Sequence, residues 1–231
     1  MFFVQSNLYY LCLKKCNVTD LISISAVGSL KEELPPGSFV VVDQFIDRTS
    51  FREKSYFNEG IIAHVPMAEP TSKILMDLSC NILKKLKIKY KKGGTYIAIE
   101  GPQFSTKAES MLYRSWDADV IGMTNMPEAR LAREAEIRYC SVSMVTDYDC
   151  WHDDHESVDV EMLIKNLQEN AEKAKNFIKH LAIDYSKGLD FEKDNTSRIL
   201  DTSIVTQKDY WDKKIKAKLN SILERYIKDN K

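Results

Sequence analysis

The 231 residues are 44% hydrophobic and 29% charged, which suits one globular domain of good size or two small ones. Charges nearly cancel, 33 basic against 34 acidic for a net −1, so neither a basic face for nucleic acid nor an acidic disordered tail is indicated. No apolar run reaches the ~18–20 residues of a membrane helix, and five scattered cysteines, an odd number, argue for reduced thiols in the cytoplasm rather than a secreted disulfide frame.

MFFVQSNLYYLCLKKC reads as a helix over residues 1–16, with Leu8, Tyr9 and Leu11 on one side. Gln5, Ser6 and Asn7 break its apolar run and its charges come after that run, so it is not a signal peptide. Cys12 and Cys16 would share a helix face, but no second ligand pair accompanies them and no zinc site is expected. LISISAVG (21–28) is β-branched and ends in glycine, the pattern of a buried strand; PPG (35–37) is a turn. FVVVDQFID (39–47) reads as one further strand, covered on both faces.

Over residues 71–90 the spacing of Ile74, Leu75, Leu78, Ile82, Leu83 and Leu86 is helical. KKGG (91–94) turns the chain into a strand, TYIAIE (95–100). Thr106 and Glu109 form a capping box for a helix through Trp116, and DVIGM (119–123) is a short strand. Pro127 suits the first turn of a helix running to Glu136, and YCSVSMVT (139–146) is again a buried strand. From Ser157 the stripe Val160, Leu163, Ile164, Leu167, Ala171, Ala174, Phe177 and Leu181 marks a long amphipathic helix. Residues 184–209 are polar and patternless, an irregular excursion, and Trp211 to Tyr226 give a last helical stripe over 210–228 that docks on the domain. The alternation predicts an α/β fold, a mixed central sheet flanked by helices, in one domain over residues 1–231. In such sheets ligands gather beyond strand ends.

The stretch MVTDYDCWHDDHE (144–156) lies at one such end. In extended chain Asp147 and Asp149 point to one side and Tyr148 to the other. Two carboxyls in one pocket repel, so one keeps its proton to higher pH and can donate while its partner accepts, which suits acid catalysis on a nitrogen heterocycle. A metal reading would recruit His152 and His155 as well, but no partner cluster stands elsewhere at ligand spacing, and no metal is expected. For His152 through Glu156 the plain reading is a solvated loop before the helix. For Asp147 and Asp149, spacing alone leaves the site and the polar loop both open.

IEGPQFSTKAES (99–110), ADVIGMTNMPEARLAREAEI (118–137) and MVTDYDCW (144–151) resemble the methylthioadenosine phosphorylases, the 6-aminopurine branch of the trimeric purine nucleoside phosphorylase family. SAVGSLKEELPPG (25–37), VDQFIDRT (42–49) and HVPMAEP (64–70) carry the same resemblance, which runs from about residue 20 to 182. It implies a nucleoside phosphorylase-like fold and phosphorolysis of methylthioadenosine to adenine and methylthioribose 1-phosphate, with phosphate as co-substrate and no other cofactor. Asp147 is then the acid at ring nitrogen seven, and Asp149 holds the exocyclic amine. Phe104 lies on the purine face, Ser105 on the base edge and Met123 against the ribose, with Tyr148 counted among the nucleoside contacts. Val160, Leu163 and Ile164 form an apolar slot for the methylthio group. Ser25, Ala26 and Thr124 take phosphate. His64 reaches a neighbouring subunit's sugar in a homotrimer. The expected setting is the cytoplasm, with the nucleus a second location.

The sequence departs from the family at its start. Relatives open with a strand, a phosphate-binding hydroxyl turn and an Arg-His segment, whereas this chain has no arginine before Arg48 and no histidine before His64. The expectation is a fold lacking the first strand and phosphate loop, with phosphate use lowered on the order of 10³-fold or more, since charge-assisted contacts are about twice as strong as neutral ones. Either the true start lies upstream or the chain is a truncated relative. A catalytically impaired nucleoside-binding subunit is the alternative from another class. An inosine- or guanosine-directed enzyme is a narrower one, against which Asp147 and the apolar 160–164 face both speak.

Overall fold

The structure is a computed structural model that describes residues 6–152 and 160–228, with the backbone alone for residues 6, 7, 160–163 and 228. In chain order the elements are α1 (Ser6–Lys15), β1 (Asp20–Ser29), β2 (Phe39–Val42), β3 (Gln44–Asp47), α2 (Lys73–Lys85), β4 (Tyr90–Lys92) and β5 (Thr95–Ala98). Then follow α3 (Lys107–Ser115), β6 (Val120–Gly122), α4 (Glu128–Glu134), β7 (Arg138–Tyr148), α5 (Val160–Tyr185), α6 (Lys213–Lys218) and α7 (Asn220–Lys228). The strands form one mixed sheet in the order β3-β5-β6-β1-β7-β2-β4.

The expected single strand over residues 39–47 is two strands, β2 and β3, which stand near opposite ends of the sheet although only Asp43 separates them. β4 and β5 are likewise separated only by Gly93 and Gly94. Both breaks meet: the Gly94 amide donates to Asp43 Oδ1 at 2.9 Å, and the Gly93 amide to the Val41 carbonyl at 2.9 Å. The sheet therefore curls until its two ends are joined by covalent chain. Asp43 ends one ladder because its carboxylate and amide turn to glycine backbone, a non-local pairing that an apolar run does not announce.

The curl gives the sheet two covered faces. In β2 the alternation of side chains sends Val40 and Val42 to one face and Phe39 and Val41 to the other, so all four are fully buried. The first face packs with Tyr96, Val120, Tyr139 and Val145 against α1, α4 and α7. The second packs Cys140 and Val142 against Leu75, Ile82 and Leu83 of α2 and Phe177 of α5. Each such aliphatic or aromatic side chain contributes about 1.5–3 kcal/mol on burial. A third cluster, Leu30, Ile97, Ile99 and Ile121, lies with Tyr113 of α3. The capping box predicted at α3 is present: the Glu109 amide donates to Thr106 Oγ1 and the Thr106 amide to Glu109.

Three further boundaries differ from the sequence reading. The 71–90 helix stops at Lys85, where Lys87 turns the chain with φ +55°, and Tyr90 opens a strand. Within 184–209 a 3-10 helix, Asn195–Thr202, buries Ile199 and Leu200, and the Leu200 amide donates to Glu136. An isolated apolar pair has no period to detect. The C-terminal stripe breaks at Leu219 into α6 and α7, the first capped by the Asp212 carboxylate.

Candidate active site

β1 and β6 pair only at Gly28–Ile121 and Ser29–Val120. The two strands part there, and a cleft of about 240 Å³ opens at the fork. Its walls are Ala26, Val27 and Gly28 of β1, Ile99 and Phe104 after β5, Ile121 to Thr124 of β6 and its loop, the end of β7, and Leu167 of α5.

β1 and β7 run parallel in register from Asp20–Arg138 to Val27–Val145, then shift so that Gly28 faces Asp147. Thr146 is the extra residue of a bulge, a device that re-aims the side chains after it. Its hydroxyl bonds the Val27 carbonyl at 3.2 Å and Asp147 Oδ2 at 2.6 Å, fixing that carboxyl at the cleft. Glycine leaves room opposite: a Cβ at Gly28 would lie 3.1 Å from Asp147 Oδ1 and 3.3 Å from Asp149 Cβ, tighter than ordinary contact. Asp149 is buried, and its amide donates to the Ser29 carbonyl at 3.2 Å. Burial pushes its carboxyl above the ordinary carboxylate range, against the opposing pull of the Ser110 hydroxyl and the Cys150 amide. The loop beyond is tied down by the Trp151 indole N–H, which donates to the same Ser29 carbonyl at 2.8 Å, and by the Cys150 thiol on the Ser105 carbonyl at 3.3 Å.

Across the fork, Gly122 lets β6 pass over buried Tyr96, whose hydroxyl a Cβ there would strike. That hydroxyl accepts from the Thr124 amide at 3.3 Å and lies 3.2 Å from Thr124 Oγ1. Thr124 is thus presented at the cleft by a side chain of the neighbouring strand, β5.

Of the residues singled out in the sequence, Ala26, Phe104, Met123, Thr124, Asp147 and Asp149 line this one cleft. Phe104 is 75% exposed and forms its rim. Ser25 is buried in β1 beside it, its hydroxyl without a partner among the described residues. Ser105 reaches the site through its carbonyl bond to Cys150. Tyr148 points away, as alternation requires; its hydroxyl donates to the Glu32 carbonyl at 3.1 Å and its ring stacks on His152 at 4.6 Å. His64 is exposed, its amide on the Ser203 carbonyl, and Ile164 is 47% exposed. Val160 and Leu163 are in α5, their side chains outside the described residues, as are His155 and the rest of the 153–159 segment.

Sequence reading missed Ile99, Ile121, Thr146 and Leu167 as cleft residues. Leu167 had a signal, since it stands one helical turn beyond Leu163 and Ile164 on the same stripe. The others read as ordinary strand residues, because the fork and the bulge are made by strands distant in sequence.

The cleft joins apolar walls, Val27, Ile99, Phe104, Ile121 and Leu167, to the carboxyls of Asp147 and Asp149 and the hydroxyls of Thr124 and Thr146. Such a cleft fits a flat, mostly apolar ring with polar edge atoms. A curled mixed sheet with this strand-end site is the architecture of the nucleoside phosphorylases, and a profile of the phosphorylase superfamily matches residues 7–183. The S-methyl-5'-thioadenosine phosphorylase of Rhodospirillum rubrum is 51% identical over 215 residues, covering 93% of this chain and 73% of that one. A methylthioadenosine phosphorylase from an antarctic soil metagenomic library superposes with a TM-score of 0.89 at 38% identity, over 96% of this chain and 77% of its own. The Schistosoma mansoni methylthioadenosine phosphorylase in complex with adenine gives a TM-score of 0.80 at 27% identity, over 87% of this chain and 78% of its own. The chain belongs to the methylthioadenosine phosphorylase family.

Proposed function

We propose that this protein catalyses phosphorolysis of S-methyl-5'-thioadenosine. A phosphate oxygen attacks the anomeric carbon, the bond to the purine nitrogen breaks with its electron pair passing into the ring, and a proton reaches ring nitrogen seven. The products are adenine and 5-methylthioribose 1-phosphate. The observation that carries the reading is the pair Asp147 and Asp149, aimed into an apolar cleft by the bulge at Thr146. Relatives named for the same activity support it.

In this reading Asp147, at the cleft edge, supplies the proton as the purine accumulates charge. Asp149 accepts from the exocyclic amine. Its buried carboxyl holds a proton to higher pH when the cleft is empty, and an amine donor favours the ionised form, so base binding releases that proton. Phe104 covers the ring, Met123 the ribose, and Thr124 with Ser25 and Ala26 the phosphate. The apolar 160–164 turn takes the methylthio group. The chain works as one phosphorylase-like domain over residues 1–231, in a homotrimer where exposed His64 reaches the neighbouring sugar, and with phosphate the one co-substrate required. Five free cysteines support a cytoplasmic setting. A nucleoside-binding subunit without activity is not favoured, because the relatives that match most of the chain are named for the activity.

The test supplies methylthioadenosine and phosphate to the purified chain and follows adenine by chromatography. Phosphate-dependent adenine release is expected. No release, or faster turnover of inosine than of methylthioadenosine in competition, overturns the reading.

A further inference from the structure

Two loops carry the cleft's reading and reacting ends, one after β5 with Phe104, the other after β6 with Met123 and Thr124. Each is anchored at its own strand, but β5 and β6 pair only from Tyr96–Val120 to Ala98–Gly122, and the loops continue beyond that ladder. Something else must set the distance between them.

The side chain that bridges them is Arg52, on neither loop. Its Nη2 donates to the Glu100 carbonyl at 2.8 Å and the Ile99 carbonyl at 3.2 Å. Its Nη1 donates to the Met123 carbonyl at 2.8 Å and the Met126 carbonyl at 2.7 Å, on either side of Thr124. Nε donates to Glu100 Oε1 at 3.0 Å, and that carboxylate also accepts from the Phe51 amide at 3.2 Å, which fixes the guanidinium from its own side. The Arg52 side chain is 11% exposed, so these contacts are little screened. A planar fork of fixed donors can hold two carbonyl pairs at one separation; a lysine ammonium, a point charge on a flexible stem, cannot.

We infer that Arg52 is a positioning residue that holds the purine loop and the sugar–phosphate loop at one spacing, so that nucleoside and phosphate are bound in register. The inference rests on the phosphorolysis reading. It makes Arg52 act on both substrates at once although it is not among the residues that line the cleft.

The test compares wild type with Arg52→Lys and Arg52→Ala, by adenine titration calorimetry, KM for phosphate, kcat and thermal melting. Arg52→Lys is expected to weaken adenine binding and raise the phosphate KM together, with kcat/KM down on the order of 10–100-fold, the scale of a misplacement near 1 Å. Added guanidinium ion should restore part of the activity of Arg52→Ala. A lysine variant that melts lower yet keeps wild-type adenine affinity and phosphate KM makes Arg52 a brace of the fold alone and overturns the inference. So does loss confined to one substrate. If Arg52→Ala does not fold, the lysine variant decides. A silent wild type whose adenine affinity still falls in Arg52→Lys would sink the phosphorolysis reading and leave the purine-loop role of Arg52 standing.

Discussion

On one flank β1 pairs with β7 from Asp20 to Ser29, parallel and interrupted by a single bulge. On the other it meets β6 at Gly28 and Ser29 and nowhere else among the described residues. The first flank continues into the fully buried β2 and its cover of α2 and α5; the second opens into a cleft. One strand is thus paired along its whole length on one side and, on the other, opens into a cleft that the end of β7 also lines. The lesson is that chemistry stands where the ladder stops: the bulge at Thr146 and the fork at Gly28 are both local failures of pairing, and Asp147 faces Gly28 at their junction.

Substitutions in the cleft and in the scaffold should separate function from stability. The largest effect is expected from Asp147→Asn, which removes the proposed acid and should lower kcat/KM for methylthioadenosine by about 10²–10⁴-fold, while the melting temperature stays near wild type; initial rates of adenine release measure it. On the scaffold side, Leu83→Ala cuts a fully buried side chain from the α2 face and should lose about 2–5 kcal/mol by urea titration, with the KM of the folded fraction unchanged. An activity loss in Leu83→Ala larger than its unfolded fraction would break the division between flanks. Phe104→Ala, at the exposed rim, should weaken adenine binding by roughly tenfold, the scale of an aromatic contact, and leave stability alone. Thr106→Ala removes the cap of α3 and should cost about 1 kcal/mol.

Asp149→Asn sharpens the comparison through pH. Burial raises this carboxyl in the folded state, so its contribution to stability is fully present below the unfolded pKa and is lost as pH rises through the folded one. The amide should therefore melt higher than wild type at pH 7, and the two curves should converge as pH falls below the ordinary carboxylate range, while adenine affinity drops. Equal melting at all pH values would mean that the buried carboxyl is compensated in full by its neighbours.

Much of the scaffold flank was legible in the sequence because its signals are local. The β-branched runs at 21–28 and 139–146, the leucine spacing before Lys85 and the Thr106–Glu109 box each carry their own period or partner within a few residues. The division of 39–47 at Asp43 was not legible, because it depends on Gly93 and Gly94 some fifty residues away. The bulge at Thr146 has no residue signature either, since threonine fits an unbroken strand equally well. On the site flank, Phe104, Met123, Thr124 and Asp147 were reachable through family motifs, whereas Ile99, Ile121 and Arg52 were not singled out. Arg52 acts on backbone carbonyls, and carbonyls have no letter in a sequence.

The seam at Asp43 and Gly93–Gly94 joins the two ends of the sheet through one residue of chain on one side and two on the other. Motion at one end is therefore transmitted to the other: a fluctuation that frays β2 from β4 pulls directly on β3 and β5. The two edge strands, β3 and β4, are thus each tied by chain to the strand beside the opposite edge. Backbone amides on the two sides of the seam, Val41 and Ile46 for instance, should then exchange with solvent deuterium in one concerted opening of similar free energy, rather than as separate fraying edges.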